Sequence, residues 1–149
     1  RGREPDVYTK DTPFVLGQAI EHGIGDELTI IACGLPLHPA LEAARRLNAA
    51  GRSVGVIDMH TLKPLDREAV LRAAGRSKIL MTAEEHNVLG GLGSAVAEVL
   101  ADEGCGVRLV RHGIQDEYSL IAPPTHLYAH YKLDADGIED VARAALARI

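Results

Sequence analysis

The chain has 149 residues, 46% of them hydrophobic, and a formal charge of −5, enough apolar material for one domain with a core. An acidic balance without a basic stripe excludes a nucleic-acid surface, which has to displace phosphate counterions. No apolar run reaches the roughly 20 residues of a membrane-spanning helix, no secretory n-region and h-region open the chain, and Cys33 and Cys105 form no CxxC pair; a cytoplasmic protein without disulfide or membrane partner is expected.

Residues 1–13 are polar, contain Pro5 and Pro13 and follow neither hydrophobic period, which predicts a linker from an upstream domain. The start at Arg1 rather than Met fits a piece of something longer. From residue 14 to 149 the rhythm is that of one domain. Phe14 to Ile20 reads as a strand, Gly23 to Asp26 as a turn, and Leu28 to Ala32 as a second strand paired with the first as a hairpin, which supplies one antiparallel edge. A helix from about Pro39 to Ala50 follows, with Pro39 tolerated in its first turn and Gly51 at its C-terminal cap.

Strand Ser53 to Ile57 leads to Asp66, the N-cap of a helix from Arg67 to about Ala74 that Gly75 closes. Strand Lys78 to Thr82 leads through a glycine loop to a helix ending near Asp102, and Val107 to Val110 forms a further strand. Between Gly113 and Asp134 lies a long segment with Pro123, Pro124, Tyr118, Tyr128 and Tyr131, read as an interface. The last helix repeats apolar residues at Ile138, Val141, Ala142, Ala145, Leu146 and Ile149, and Asp136 with Glu139 has capping-box spacing. The predicted fold is α/β: an open, three-layer mixed sheet of about five strands, mostly parallel with one antiparallel edge strand, and helices on both faces.

Ligands of open parallel sheets gather outside the carboxyl ends of the strands, where four polar clusters fall: Cys33-Gly34, Asp58-Met59-His60, Glu84-Glu85-His86 and Arg111-His112-Gly113. Glu84-Glu85-His86 offers carboxylates beside an imidazole, although strand alternation lets at most two of the three share a site; a domain or subunit contact is the favoured use. Gly90-Gly91-Leu92-Gly93 opens a helix, so its amides and Ser94 suit either an anion or close strand-helix packing. His126 and His130 have helical spacing but no third ligand, so no metal is assigned. Cys33 reads as a small hydrophobe, and no nucleophile or other catalytic residue is assigned.

The tract Val56 to Asp66, then Thr82 to Asn87, then Gly90 to Val96, resembles in order and spacing the C-terminal domain of transketolase-type enzymes, a likeness running from about Phe14 to the C-terminus. The first tract is shared with deoxyxylulose-phosphate synthases and with β subunits of 2-oxo-acid dehydrogenases. His86 after the paired glutamates looks most like transketolase, since the synthases tend to have Asn there. The resemblance implies the third domain of an enzyme that moves a two-carbon ketol unit between sugar phosphates. Thiamine diphosphate and Mg²⁺ would be held by other domains, the upstream neighbour being pyrimidine-binding, and none is expected in this chain alone. The implied partners are those upstream domains or a partner subunit, in a homodimer or a heterotetramer. Arg1, four residues before Pro5, resembles a substrate-phosphate arginine, with Arg3 as its rival. Glu85, His86, Gly90, Gly91, Gly93 and Ser94 form the candidate anion-binding or interface loop; the non-enzymatic alternative is an anion-binding regulatory module.

Overall fold

Five strands and five helices occur within residues 5–149, the part of the chain described by the computed structural model. In chain order they are β1 (Ile20–Gly23), β2 (Leu28–Ala32), α1 (Leu37–Ala49), β3 (Val54–Asp58), α2 (Arg67–Arg76), β4 (Ile79–Asn87), α3 (Leu92–Asp102), β5 (Arg108–Ile114), α4 (Pro124–His130) and α5 (Ala135–Leu146). The sheet order is β1-β3-β2-β4-β5. Only β1 runs antiparallel, against β3. This is the mixed five-stranded architecture expected from the alternation of apolar runs and helical patterns.

β2 sits at the centre with all five residues buried, and Ile30 stands level with Val56 of β3 and Met81 of β4. Alternation sends Leu28, Ile30, Val56 and Met81 toward α1 and α5, while Ile31, Ile57 and Leu80 meet the layer of α2 and α3. Full burial of each such aliphatic side chain contributes about 1.5–3 kcal/mol. The chain leaves β2 toward β3 on one side and returns past it to β4 on the other. The direction of winding therefore reverses between β2 and β4, where open α/β sheets have their crevice.

Several boundaries differ from the sequence reading. Residues 14–19 are not a strand: Gln18 donates to the Val15 carbonyl in a turn, Gly17 takes φ +80°, and the Gly17 and Ala19 amides go to Thr61 Oγ1 and Asp66 Oδ2. Those amides are spent on side chains, so β1 starts at Ile20. It pairs with β3 rather than β2, because β2 already has a parallel neighbour on each side. Asp66 does cap α2, accepting from the Ala69 amide at 2.9 Å, but Gly75 lies within that helix and Ser77 is its C-terminal cap. The cap of α5 is Asp134, whose extended backbone lets Oδ1 accept from the Gly137 amide; Asp136 instead pairs with Arg46 of α1 at 2.6 Å. Strands β4 and β5 run further than predicted, to Asn87 and Ile114.

The segment between β5 and α5 contains α4, none of whose residues is buried. His112 of β5 ties it down. Its Nε2–H donates to the Lys132 carbonyl at 2.7 Å, and Lys132 holds φ +56°, unusual for a side-chain-bearing residue. Burial, foremost, lowers the His112 pKa below the ordinary histidine value; the Lys132 charge acts the same way and its carbonyl bond acts against it. The unfolded chain then takes up a proton at a higher pH than the native one. Stability from this group is therefore complete above the unfolded value of about 6.5 and is lost as pH falls below it. Urea midpoints at pH 7.5 and 5.5 should show a larger drop for the unmodified chain than for His112→Gln, whose amide nitrogen keeps the bond without titrating.

Candidate functional site

The polar rim is organised by one carboxylate. Glu84 of β4 is fully buried, and its two oxygens accept from the Leu92 amide at 2.6 Å and the Gly93 amide at 2.8 Å, the first two residues of α3. Gly91, the N-cap, offers no side chain to the helix. A neighbouring strand therefore supplies the capping group, and the positive end of the helix dipole stabilises its charge. His86, two residues on and on the same strand face, places Nδ1 3.1 Å from Glu84 Oε2 and 3.5 Å from the Asn87 carbonyl while its ring stays half exposed.

Three glycines make room for this arrangement. A Cβ on Gly91 would collide with Glu84 Oε2 and the His86 ring; on Gly93 it would come within 2.9 Å of Glu84 Oε1, Thr82 Oγ1 and Arg111 Cγ; on Gly113 it would come within 2.9 Å of Glu84 Cγ. The GGxG sequence thus serves close approach of α3 to a buried carboxylate, the structural use weighed for it in the sequence. Beside it, Ser94 Oγ accepts from the Gly90 amide at 2.9 Å, and Arg111 Nη1 lies 3.4 Å from both Ser94 Oγ and the Val88 carbonyl. Thr82 Oγ1 is buried without a hydrogen-bond partner among the described residues.

Alternation divides the triplet as expected: Glu85 faces the opposite layer and accepts the Tyr128 hydroxyl of α4 at 2.8 Å. Tyr128 stands between two cavities of about 330 and 310 Å³, the first bordered by Leu35 and His38, the second by Ile114 and Tyr131. The long tyrosine segment therefore folds back over the carboxyl ends of β2, β4 and β5. Cys33, at the β2 end, has its thiol pushed up to about 12 by burial first and then by the charges of Glu84, Asp58 and Glu85. It stays protonated at neutral pH and is a poor nucleophile.

A second polar group at the rim escaped the sequence reading. Tyr8 donates its hydroxyl proton to buried Asp58 at 2.8 Å and accepts from His22 Nε2 at 2.8 Å, with its ring stacked on His22. Burial, then Asp58, raises the Tyr8 pKa. A single aromatic in a polar stretch was its only trace in the sequence. Phe14 stands edge-on to both Tyr8 and His60, and His60 Nε2 is buried without a partner among the described residues. Arg1 and Arg3 lie outside the described residues. Among those described, no group of three or more His, Cys, Asp or Glu side chains is placed to hold a metal ion, and no helix is long and apolar enough to cross a membrane.

The fold and rim define an α/β domain whose glycine-opened helix is seated on a strand carboxylate. The chain belongs to the family described as transketolase, C-terminal domain, whose profile matches residues 17–138. It is 44% identical over 143 residues to 1-deoxy-D-xylulose-5-phosphate synthase 1 of Geobacter sulfurreducens, a match covering 95% of this chain and 22% of that protein. It is 40% identical to one of the apulose-4-phosphate transketolase polypeptides of Phocaeicola vulgatus, covering 93% of this chain and 44% of that polypeptide. A solved split-gene transketolase, described as an inactive beta4 tetramer, superposes with a TM-score of 0.88 at 39% identity, over 96% of this chain and 46% of that one. The chain thus spans less than half the length of these relatives.

The glycine cradle gives a direct test. Gly93→Ala should destabilise the fold by about 2–3 kcal/mol, through overpacking and displacement of the Glu84 bonds, read as a lower urea midpoint with unchanged slope. A loss below about 0.5 kcal/mol would contradict the cradle.

Proposed function

We propose that this chain is the C-terminal domain of a transketolase-type ketol transferase and serves assembly rather than chemistry. The observation that carries the reading is the likeness to the split-gene transketolase across nearly the whole chain. His86, beside Glu84, supports it, since this is the position where the resemblance separates transketolases from the synthases. In this reading residues 1–13 join residues 14–149 to the upstream part of the enzyme, Arg1 meets a substrate phosphate, and the parent works in the cytoplasm as a homodimer or a heterotetramer on sugar phosphates.

Thiamine diphosphate with Mg²⁺ would supply the carbanion chemistry of ketol transfer from elsewhere in the parent. The residues described here do not fit a diphosphate and its cation: the first amides of α3, the natural anion seat, are given to Glu84. What this chain contributes is a rigid rim. Glu84 fixes α3, His86 and Glu85 present oriented groups to a neighbour, and Tyr8 and Tyr128 close the sheet ends.

A second reading, a deoxyxylulose-phosphate synthase domain, is favoured by the 44% identity to the Geobacter protein. The two separate in one assay. With thiamine diphosphate and Mg²⁺, the complete parent should transfer a ketol unit from xylulose 5-phosphate to ribose 5-phosphate or another aldose phosphate. In the same preparation supplied with pyruvate and glyceraldehyde 3-phosphate, formation of 1-deoxy-D-xylulose 5-phosphate and CO2, without any ketol transfer, would replace the first reading with the second.

A further inference from the structure

Residues 5–13 form neither helix nor strand, yet they are folded against the ends of the sheet. Within this arm Thr9 and Thr12 close a turn, the Thr12 amide donating to the Thr9 carbonyl at 3.1 Å and the Thr9 amide to Thr12 Oγ1 at 3.2 Å. Among the described residues, every hydrogen bond from the arm to the rest of the domain is made by one side chain, Tyr8. Its hydroxyl donates to Asp58 at 2.8 Å and stands 2.8 Å from His22 Nε2. Asp58 ends β3 and is only 3% exposed, so the bond is shielded from water and made to a charged acceptor. The Tyr8 ring stacks on His22, meets Phe14 edge-on and packs with Val7 against the core shared by α1 and α5.

That bond decides where the arm goes. Upstream of Tyr8, Pro5, Asp6 and Val7 form one wall of a cavity of about 330 Å³, and Leu35, Leu37 and His38, where the chain leaves β2 for α1, form the other. Pro5 is therefore held at the carboxyl end of the central strand, beside the crevice where the winding of the sheet reverses. Arg1 is four residues further upstream and lies outside the described residues. Four residues of chain reach at most about 14 Å, so the place of Pro5 bounds the space open to the Arg1 guanidinium. A guanidinium grips a phosphate through two parallel hydrogen bonds, and one confined in advance loses less freedom on doing so than one on a free arm.

We propose that Tyr8 is a positioning residue for substrate binding in the parent enzyme: its bond to Asp58 fixes the arm so that Arg1 stands ready for the phosphate of the sugar substrate. The proposal rests on the ketol-transferase reading, with Arg1 as the phosphate contact. Tyr8 itself touches no substrate; it acts through the arm.

Substrate kinetics of the complete parent, with thiamine diphosphate and Mg²⁺, test it. Tyr8→Phe keeps the ring and its stacking but removes the donor, whereas Asp58→Asn keeps the shape and removes the charged acceptor. Each should raise the KM for xylulose 5-phosphate at least about fivefold, within what a lost bond to a charged group amounts to, with kcat within twofold. In a chain already carrying Arg1→Ala, Tyr8→Phe should change KM less than twofold, because the group it positions is gone. An unchanged KM in both Tyr8→Phe and Asp58→Asn overturns the proposal, as does an equal rise with and without Arg1, or an Arg1→Ala enzyme with the KM of the unmodified one. Loss of kcat in both variants assigns Tyr8 to the fold instead and overturns it as well. Absence of ketol transfer in the unmodified parent removes the ketol-transferase reading and the proposal with it, a failure distinct from an active enzyme indifferent to Tyr8.

Discussion

A buried carboxylate on a β-strand is stable only if donors replace the water it has lost. Glu84 meets that demand with two amides at the start of α3, with the His86 imidazole beside it, and much of the local structure follows from it. Helix α3 has to begin where its amides meet the carboxylate. Gly91, Gly93 and Gly113 have to lack side chains. The β4 strand has to continue past its hydrophobic run, so that Glu84 and Glu85 face opposite layers. Breaking one partner of such a cluster leaves a buried charge uncompensated, which typically costs about 3–5 kcal/mol.

The same constraint shapes what the rim can do. A helix opened by glycines after a parallel strand is a ready anion seat, yet here the anion is the protein's own. The nearby thiol is held protonated by burial and by the surrounding carboxylates. These features suit a scaffold that presents fixed groups to neighbouring protein, with Tyr128 folded across the end of β4 and Tyr8 across Asp58. Family membership agrees, since relatives carry this domain as less than half of a longer polypeptide.

Much of the architecture was legible because it rests on periodicity. The apolar runs of β2 to β4, the amphipathic α5 and the Asp66 cap all read directly from residue type and spacing. Two of the misplacements share one cause, competition for hydrogen-bond partners between side chains and backbone. Residues 14–19 have strand-like composition, but Thr61 and Asp66, more than 40 positions away, capture their amides. Asp134 takes the α5 cap because its own backbone is extended, while Asp136 answers Arg46 on another helix. The split of Glu84, Glu85 and His86 between two faces follows from strand alternation. The double donation to Glu84 does not, because it depends on where α3 lands. Tyr8 was the least legible element, its partners Asp58 and His22 being distant in the chain.

The most direct measurement on this account is native-state hydrogen exchange in Glu84→Gln. A glutamine keeps the shape but can accept through only one oxygen, and its NH₂ then faces the amide that the second oxygen had served. The account predicts that Leu92 or Gly93 loses protection at least tenfold, about 1.4 kcal/mol, as befits a lost bond to a charged group, while amides in the distant α1–α5 layer change only through any fall in global stability. Unchanged protection at both Leu92 and Gly93, with unchanged overall stability, would contradict it.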